Sequence, residues 1–178
     1  MGSKILALSD SHGNTSVLAA VLKWAADELK ESDLVVFLGD GLRELPIALQ
    51  QSPLPCEIKK VRGNNDNTPG EPESETFDFG GYRFYICHGH RYVLYSGFEK
   101  LIASARDRGA DAVIFGHIHV PYLEEYNGVL FICPGCLSRA RSSAGETFAI
   151  IDCTPNRPIA VQFWGIDPES LNITEFLS

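Results

Sequence analysis

The chain has little that would engage a membrane or a polyanion. Its longest run of strongly apolar residues, Leu34 to Leu38, is far too short to cross a bilayer. Met1 is not followed by the basic start, longer apolar stretch and small-residue cleavage site of a secretory signal. Basic residues are scarce, with 15 Lys and Arg against 23 Asp and Glu and a formal net charge of −8. Nucleic-acid and anionic-membrane binding draw much of their affinity from basic faces, so neither partner is expected. The five cysteines (Cys56, Cys87, Cys133, Cys136 and Cys153) are an odd number that cannot all pair within one chain. Without an export signal, free thiols in a reducing cytoplasm are the simplest expectation. Repeats and long linkers are lacking too, so 1–178 reads as one domain.

What is present is an ordinary apolar fraction, 44%, enough to bury a core without disulfides. Lys4 to Leu8, Leu34 to Leu38 and Glu57 to Val61 read as strands. Between them lie a helix capped by Asn14 or Thr15, with Val17, Leu18, Val21, Leu22, Ala25 and Leu29 on one face, and a short helix at Glu44 to Gln50. This alternation favours parallel βαβ units. The 68–75 segment, rich in Pro, Gly and Glu, reads as an exposed loop. The second half is richer in strands. Gly80-Gly81 and Asn127-Gly128 predict hairpin turns, and Phe98 to Arg108 a helix before strand Ala112 to Phe115. The last strands are expected at Phe148 to Asp152 and Ile159 to Trp164. The fold class that accounts for this order is α/β (α+β), two mixed sheets packed together with helices outside.

The polar residues cluster after the strands. Asp10 and His12 follow the first, Asp40 the second, and Asn64 to Asp66 the third. His88 and His90 follow Tyr82 to Cys87, while His117 and His119 follow Ala112 to Phe115. All five histidines therefore lie just beyond apolar strands. Burying such groups together is costly unless a cation neutralises them. Carboxylate, imidazole and amide oxygen suit Mn²⁺, Fe²⁺, Zn²⁺ or Ni²⁺ better than Ca²⁺. Asp10-x-His12 and His117-x-His119 would each face one cavity if their backbone is extended. Seven donors exceed one tetrahedral site and suit two metals bridged by a carboxylate.

Asp10-x-His12, Gly39-Asp40, Gly63-Asn64-x-Asp66, His88-Gly-His90 and Gly116-His117-x-His119 together resemble the calcineurin-like metallophosphoesterase superfamily. The compact length and Pro134-Gly135-Cys136-Leu137-Ser138 resemble its small YfcE-like phosphodiesterase branch. The resemblance implies a four-layer αββα sandwich. It implies one metal on Asp10, His12 and His119, a second on Asn64, His88 and His117, and Asp40 bridging both. The implied activity is phosphodiester hydrolysis, in which a metal-bridging hydroxide attacks phosphorus in line. Two divalent ions, Mn²⁺ first and Ni²⁺, Fe²⁺ or Zn²⁺ as alternatives, are the implied cofactors, and a small phosphoester is the implied substrate.

One position departs from the superfamily pattern. Asn65 stands where many members carry a histidine that stabilises charge or protonates the leaving group. An amide donates a hydrogen bond but cannot act as a general acid, so activated leaving groups are expected to react best. Asp66 is expected to position Asn65 or Arg62, and His90 is the candidate replacement acid. Arg139 is the first candidate phosphate contact, with Arg43, Arg91 and Arg141 behind it. Cys133 and Cys136 have CxxC spacing, but no second pair exists for a Cys₄ site, and packing is the simpler role. Self-association into a homo-oligomer is left open. The alternative function is a protein-binding scaffold of the same fold with little or no catalysis.

Overall fold

The computed structural model describes residues 2–92, 97–138 and 144–175. One sheet has six strands in the order β11-β10-β9-β1-β2-β3. These are β1 (Ser3–Leu8), β2 (Leu34–Phe37), β3 (Glu57–Lys60), β9 (Glu146–Cys153), β10 (Ala160–Ile166) and β11 (Ile173–Glu175). The other has five, in the order β4-β5-β6-β8-β7, formed by β4 (Ser74–Phe79), β5 (Tyr82–Cys87), β6 (Ala112–Phe115), β7 (Pro121–Tyr126) and β8 (Val129–Pro134). Both sheets are mixed. β1, β2 and β3 run parallel, as do β5, β6 and β8, while β9, β10, β4 and β7 join antiparallel.

Alternation along the central strands divides the interior into three apolar layers. Leu6 and Leu8, Val35 and Phe37, and Phe148 and Ile150 point toward α1 (Thr15–Glu28) and α2 (Glu44–Gln51). Their neighbours Ile5, Ala7, Leu34, Val36, Ala149 and Ile151 meet Phe84, Ile86, Ala112, Ile114 and Ile132 between the sheets. On the far face, Tyr85, Cys87, Val113, Phe115, Phe131 and Cys133 pack with Leu101 and Ala105 of α3 (Glu99–Asp107). The result is the αββα sandwich. Strands covered on both faces need apolar residues at every position, which is why β2, β6 and the Ile5 to Leu8 part of β1 read as unbroken hydrophobic runs.

Local punctuation fixes the connections. Asn14 caps α1, its side-chain oxygen accepting from the Val17 amide. Gly80-Gly81 and Asn127-Gly128 all have positive φ, as two-residue hairpin loops require. The 68–75 segment departs from a free loop: strand β4 begins at Ser74, and Glu71, Glu73 and Glu75 pair with Lys60, Arg62 and Lys59. The edge strand β11 lies beyond the last strand expected from the sequence. Among the described residues, no helix is long and apolar enough to cross a membrane.

Candidate active site

The site gathers at the carboxyl ends of β1, β2, β3, β5 and β6, where a parallel sheet leaves a crevice. The loops are laced to one another by backbone bonds. Asp10 N–H donates to Gly39 O (3.0 Å), His12 N–H to Asp40 O (3.0 Å) and Gly116 N–H to His88 O (3.0 Å). Two glycines permit this approach. A Cβ on Gly63 would lie 2.1 Å from Asp40 Oδ1, and one on Gly116 would lie 2.1 Å from Ser9 Oγ. The Gly-Asn and Gly-His pairs of the sequence thus have a steric cause.

Five of the seven predicted metal ligands have left-handed backbones: Asp10 (φ 56°), His12 (43°), Asp40 (55°), His117 (71°) and His119 (62°). This corrects the extended geometry expected for the two i, i+2 pairs. The chain turns sharply as it leaves each strand, and the curl rather than a pleat aims the side chains together. Such conformations cost non-glycine residues about 1 kcal/mol or more each. Among the described residues they concentrate here and nowhere else in comparable density.

Asp10, His12 and His119 offer ligand atoms within 4.8 Å of one another, and so do Asp10, Asp40 and His88. Nε2 of His119 lies 3.0 Å from Asp10 Oδ1 and 3.3 Å from Nε2 of His12. His88 is fully buried, and its Nδ1 donates to the Leu38 carbonyl at 2.7 Å. That bond orients the ring and leaves Nε2 as the atom that faces the site. Nε2 faces Asn64 Oδ1 at 3.1 Å, Asp40 Oδ2 at 3.5 Å and Asp10 Oδ1 at 4.0 Å. The His117 ring packs 5.1 Å from that of His88, and its backbone N–H donates to Asp10 Oδ2. Buried carboxylate and amide oxygens gathered with imidazole nitrogens are a donor set that fits a divalent metal.

The electrostatics agree. Burial pushes the Asp10 carboxyl up, but hydrogen bonds with His119 and His12, the charge of His88 and the Ser9 hydroxyl outweigh it and hold the group well below the carboxylate range. Burial, then His88, lowers both His117 and His90. Their rings therefore stay neutral to a lower pH than an exposed histidine.

The other predicted residues fall in different places. Asn65 donates from its backbone N–H to Asp40 Oδ1 (2.7 Å) and from its side-chain amide to Asp40 Oδ2. Asp66 contacts neither Asn65 nor Arg62 through its carboxylate. It accepts four backbone N–H groups, three that the β2–α2 turn presents as a nest, from Asp40 (2.7 Å), Gly41 (3.0 Å) and Leu42 (2.9 Å), and one from Gly63 (2.8 Å) after β3. The His90 ring packs at a tilt against that of His88, 5.4 Å between centroids, and lines a separate pocket of about 60 Å³ with Glu73 and Arg91. Arg91 is engaged by Glu73, which also holds Arg62. Arg43 lines a cleft of about 280 Å³ with His12, Asp40, Glu44, Asn65 and Asp66. Arg139 and Arg141 lie outside the described residues. Cys133 and Cys136 are fully buried. Two contributors went unread in the sequence, Ser9 on the Asp10 carboxylate and the Leu38 carbonyl on His88. Nothing in their residue types marked them.

A sandwich with carboxylates, imidazoles and an amide at one set of strand ends defines a class of metal-binding hydrolase scaffold. The chain belongs to the calcineurin-like phosphoesterase superfamily, whose domain model matches residues 4–156. A probable metallophosphoesterase of Mycoplasma pneumoniae is 32% identical over 143 residues, 79% of this chain and 82% of that protein. The phosphodiesterase YfcE of Escherichia coli K12 is 24% identical over 169 residues, 84% of this chain and 87% of its own. A predicted phosphoesterase from Streptococcus pneumoniae superposes with a TM-score of 0.77 at 25% identity, covering 99% and 98% of the two chains. A Vps29 variant from Entamoeba histolytica shares the fold, with a TM-score of 0.76 at 20% identity over 97% and 98%.

Proposed function

We propose that this protein is a phosphodiesterase working with two divalent ions, manganese foremost, on a small phosphoester. The observation that carries this reading is the convergence of the buried His88 Nε2 with the oxygens of Asn64, Asp40 and Asp10. In this reading Asp10, His12 and His119 hold one ion, Asn64, His88 and His117 the other, and Asp40 both. When bound, such ions lower the pKa of water and offset the negative charge of the phosphoryl group.

The chain's own contribution is preorganisation. Asp40 is held from one side by the Asn65 amides, while Asp66 grips the backbone of Asp40 and the two residues after it. Both carboxylates of the pair are buried, Asp10 fully and Asp40 at 3% exposure, so they sit at low dielectric, where charge interactions are strong. His90 buttresses His88 from outside the main cleft. The absence of a histidine at position 65 favours aryl and other activated leaving groups, which depart without a proton.

Hydrolysis of bis(p-nitrophenyl) phosphate after EDTA stripping tests the reading. Turnover is expected to return with Mn²⁺ and to fall at least 100-fold in Asp40→Asn, since removing one stabilising charge from such a site costs factors of that order. Absence of metal-dependent turnover in folded, metal-loaded protein would instead favour the scaffold function.

A further inference from the structure

The basic side chains of the fold are unequal in their engagements. Arg62 and Arg91 are both spent on Glu73, Arg83 on Asp78, and Lys59 and Lys60 on Glu75 and Glu71. Arg43 has no ion-pair or hydrogen-bond partner among the described residues, although it lines the cleft beside Asp40, Asn65 and His12. Glu44 stands next to it on the same wall, but its carboxylate accepts from Ser11 Oγ at 3.4 Å. Arg43 is thus the only arginine or lysine lining that cleft among the described residues.

An uncommitted guanidinium beside a cluster of carboxylates and imidazoles is placed to hold an anion. The phosphoryl group under attack already has the metal donors of Asp10, Asp40 and the histidines facing it. From this we infer that Arg43 forms a second anion subsite, which selects phosphodiesters carrying a further phosphate or carboxylate on one ester arm. The inference rests on the phosphodiesterase reading and names the substrate class within it. Glu44 adds a constraint. Its negative charge on the same wall disfavours a highly charged arm and leaves room for one extra anion, with a hydroxyl beside it.

The planar fork of arginine matches a carboxylate or phosphate in two parallel hydrogen bonds, a geometry that lysine does not reproduce. Such a charge-assisted contact is worth about tenfold or more in binding. Dinucleotide diesters with a terminal phosphate have the required chemistry, as do diesters of phosphorylated sugars. A simple dialkyl or diaryl phosphate does not.

The test uses two diesters with the same leaving group, p-nitrophenyl phenyl phosphate and p-nitrophenyl 4-carboxyphenyl phosphate, with Mn²⁺ at low ionic strength. The wild-type protein is expected to favour the carboxylated diester about tenfold in kcat/KM, mainly through KM, with the preference fading in high salt. In Arg43→Gln that ratio should collapse toward one, and Arg43→Lys should restore part of it. Equal KM values for the two diesters in the wild type would overturn the subsite, as would a preference that survives Arg43→Gln in folded protein. Failure of both diesters in metal-loaded wild type would overturn the hydrolase reading, and the subsite with it.

Discussion

Asp66→Asn separates a residue that holds the metal loop from one that acts on substrate. In the native site each carboxylate oxygen accepts two backbone N–H groups: Oδ2 those of Asp40 and Gly63, Oδ1 those of Gly41 and Leu42. Asparagine keeps one oxygen and replaces the other with an NH₂ group, which is a donor facing two donors. Two N–H groups then lose their partner. Each orphaned donor costs about 1–3 kcal/mol, and partial water access lowers the sum to about 2–4 kcal/mol. For a chain of this size that is a fall in melting temperature of about 5–15 °C. The Asp40 loop should relax with it, and loss of such supporting contacts typically weakens metal binding about 10–100-fold. Calorimetry of the metal-free variant and an Mn²⁺ titration of its initial rate measure the two effects. The expected signature is a lower melting temperature and turnover partly restored by excess Mn²⁺. A variant that melts with the wild type and binds Mn²⁺ as tightly, yet loses turnover, would refute the clamp and place the Asp66 carboxylate at the reacting atoms.

Two further outcomes follow from the buried titratable groups. His117 and His90 are lowered from 6.5 chiefly by burial, so below that pH the unfolded chain binds more protons than the native one. Their contribution to stability is therefore complete above about pH 6.5 and is lost as pH falls toward the native values. EDTA-treated protein should melt at lower temperature at pH 5.5 than at pH 7.5, and an unchanged or rising melting temperature would contradict the sign. Burial raises the thiols of Cys87 and Cys153 to about 12 and that of Cys133 well above its ordinary value, while half-buried Cys56 is raised less deeply in the fold. At pH 8 a disulfide reagent should therefore label Cys56 first, with the others reacting after unfolding; prompt reaction of Cys133 would show that the β8 end opens.

The elements were legible where one physical pressure acted alone. Strands covered on both faces must be apolar throughout, as β2, β6 and the buried Ile5 to Leu8 part of β1 are. Hairpin turns with positive φ at both centres select Gly-Gly and Asn-Gly, and those pairs occur where the chain reverses. Strand β11 was not legible, since three residues at a sheet edge with only Ile173 half-buried leave no period to read. The loop ending at Ser74 was not either, because its glutamates serve as partners for Lys59, Lys60 and Arg62 rather than as solvated charge.

The site was legible in its residue types and opaque in its backbone. Asp and His after each apolar strand marked the donor cluster, but nothing in Asp10, His12, Asp40, His117 or His119 announces a left-handed φ, which sequence shows openly only when glycine occupies the position. The partners of Asp66 were not legible either: its carboxylate binds the backbone of Asp40 and its turn rather than Asn65 or Arg62, a choice of backbone donors that residue type does not disclose. Five strained residues and two buried carboxylates oppose folding locally, and they persist because the cross-loop bonds from Gly39, Asp40 and His88, together with the Asp66 clamp, leave the chain no relaxed alternative. Local rules are broken where several oxygens and imidazoles must converge on one point, a geometry that stabilises a cation rather than the fold itself.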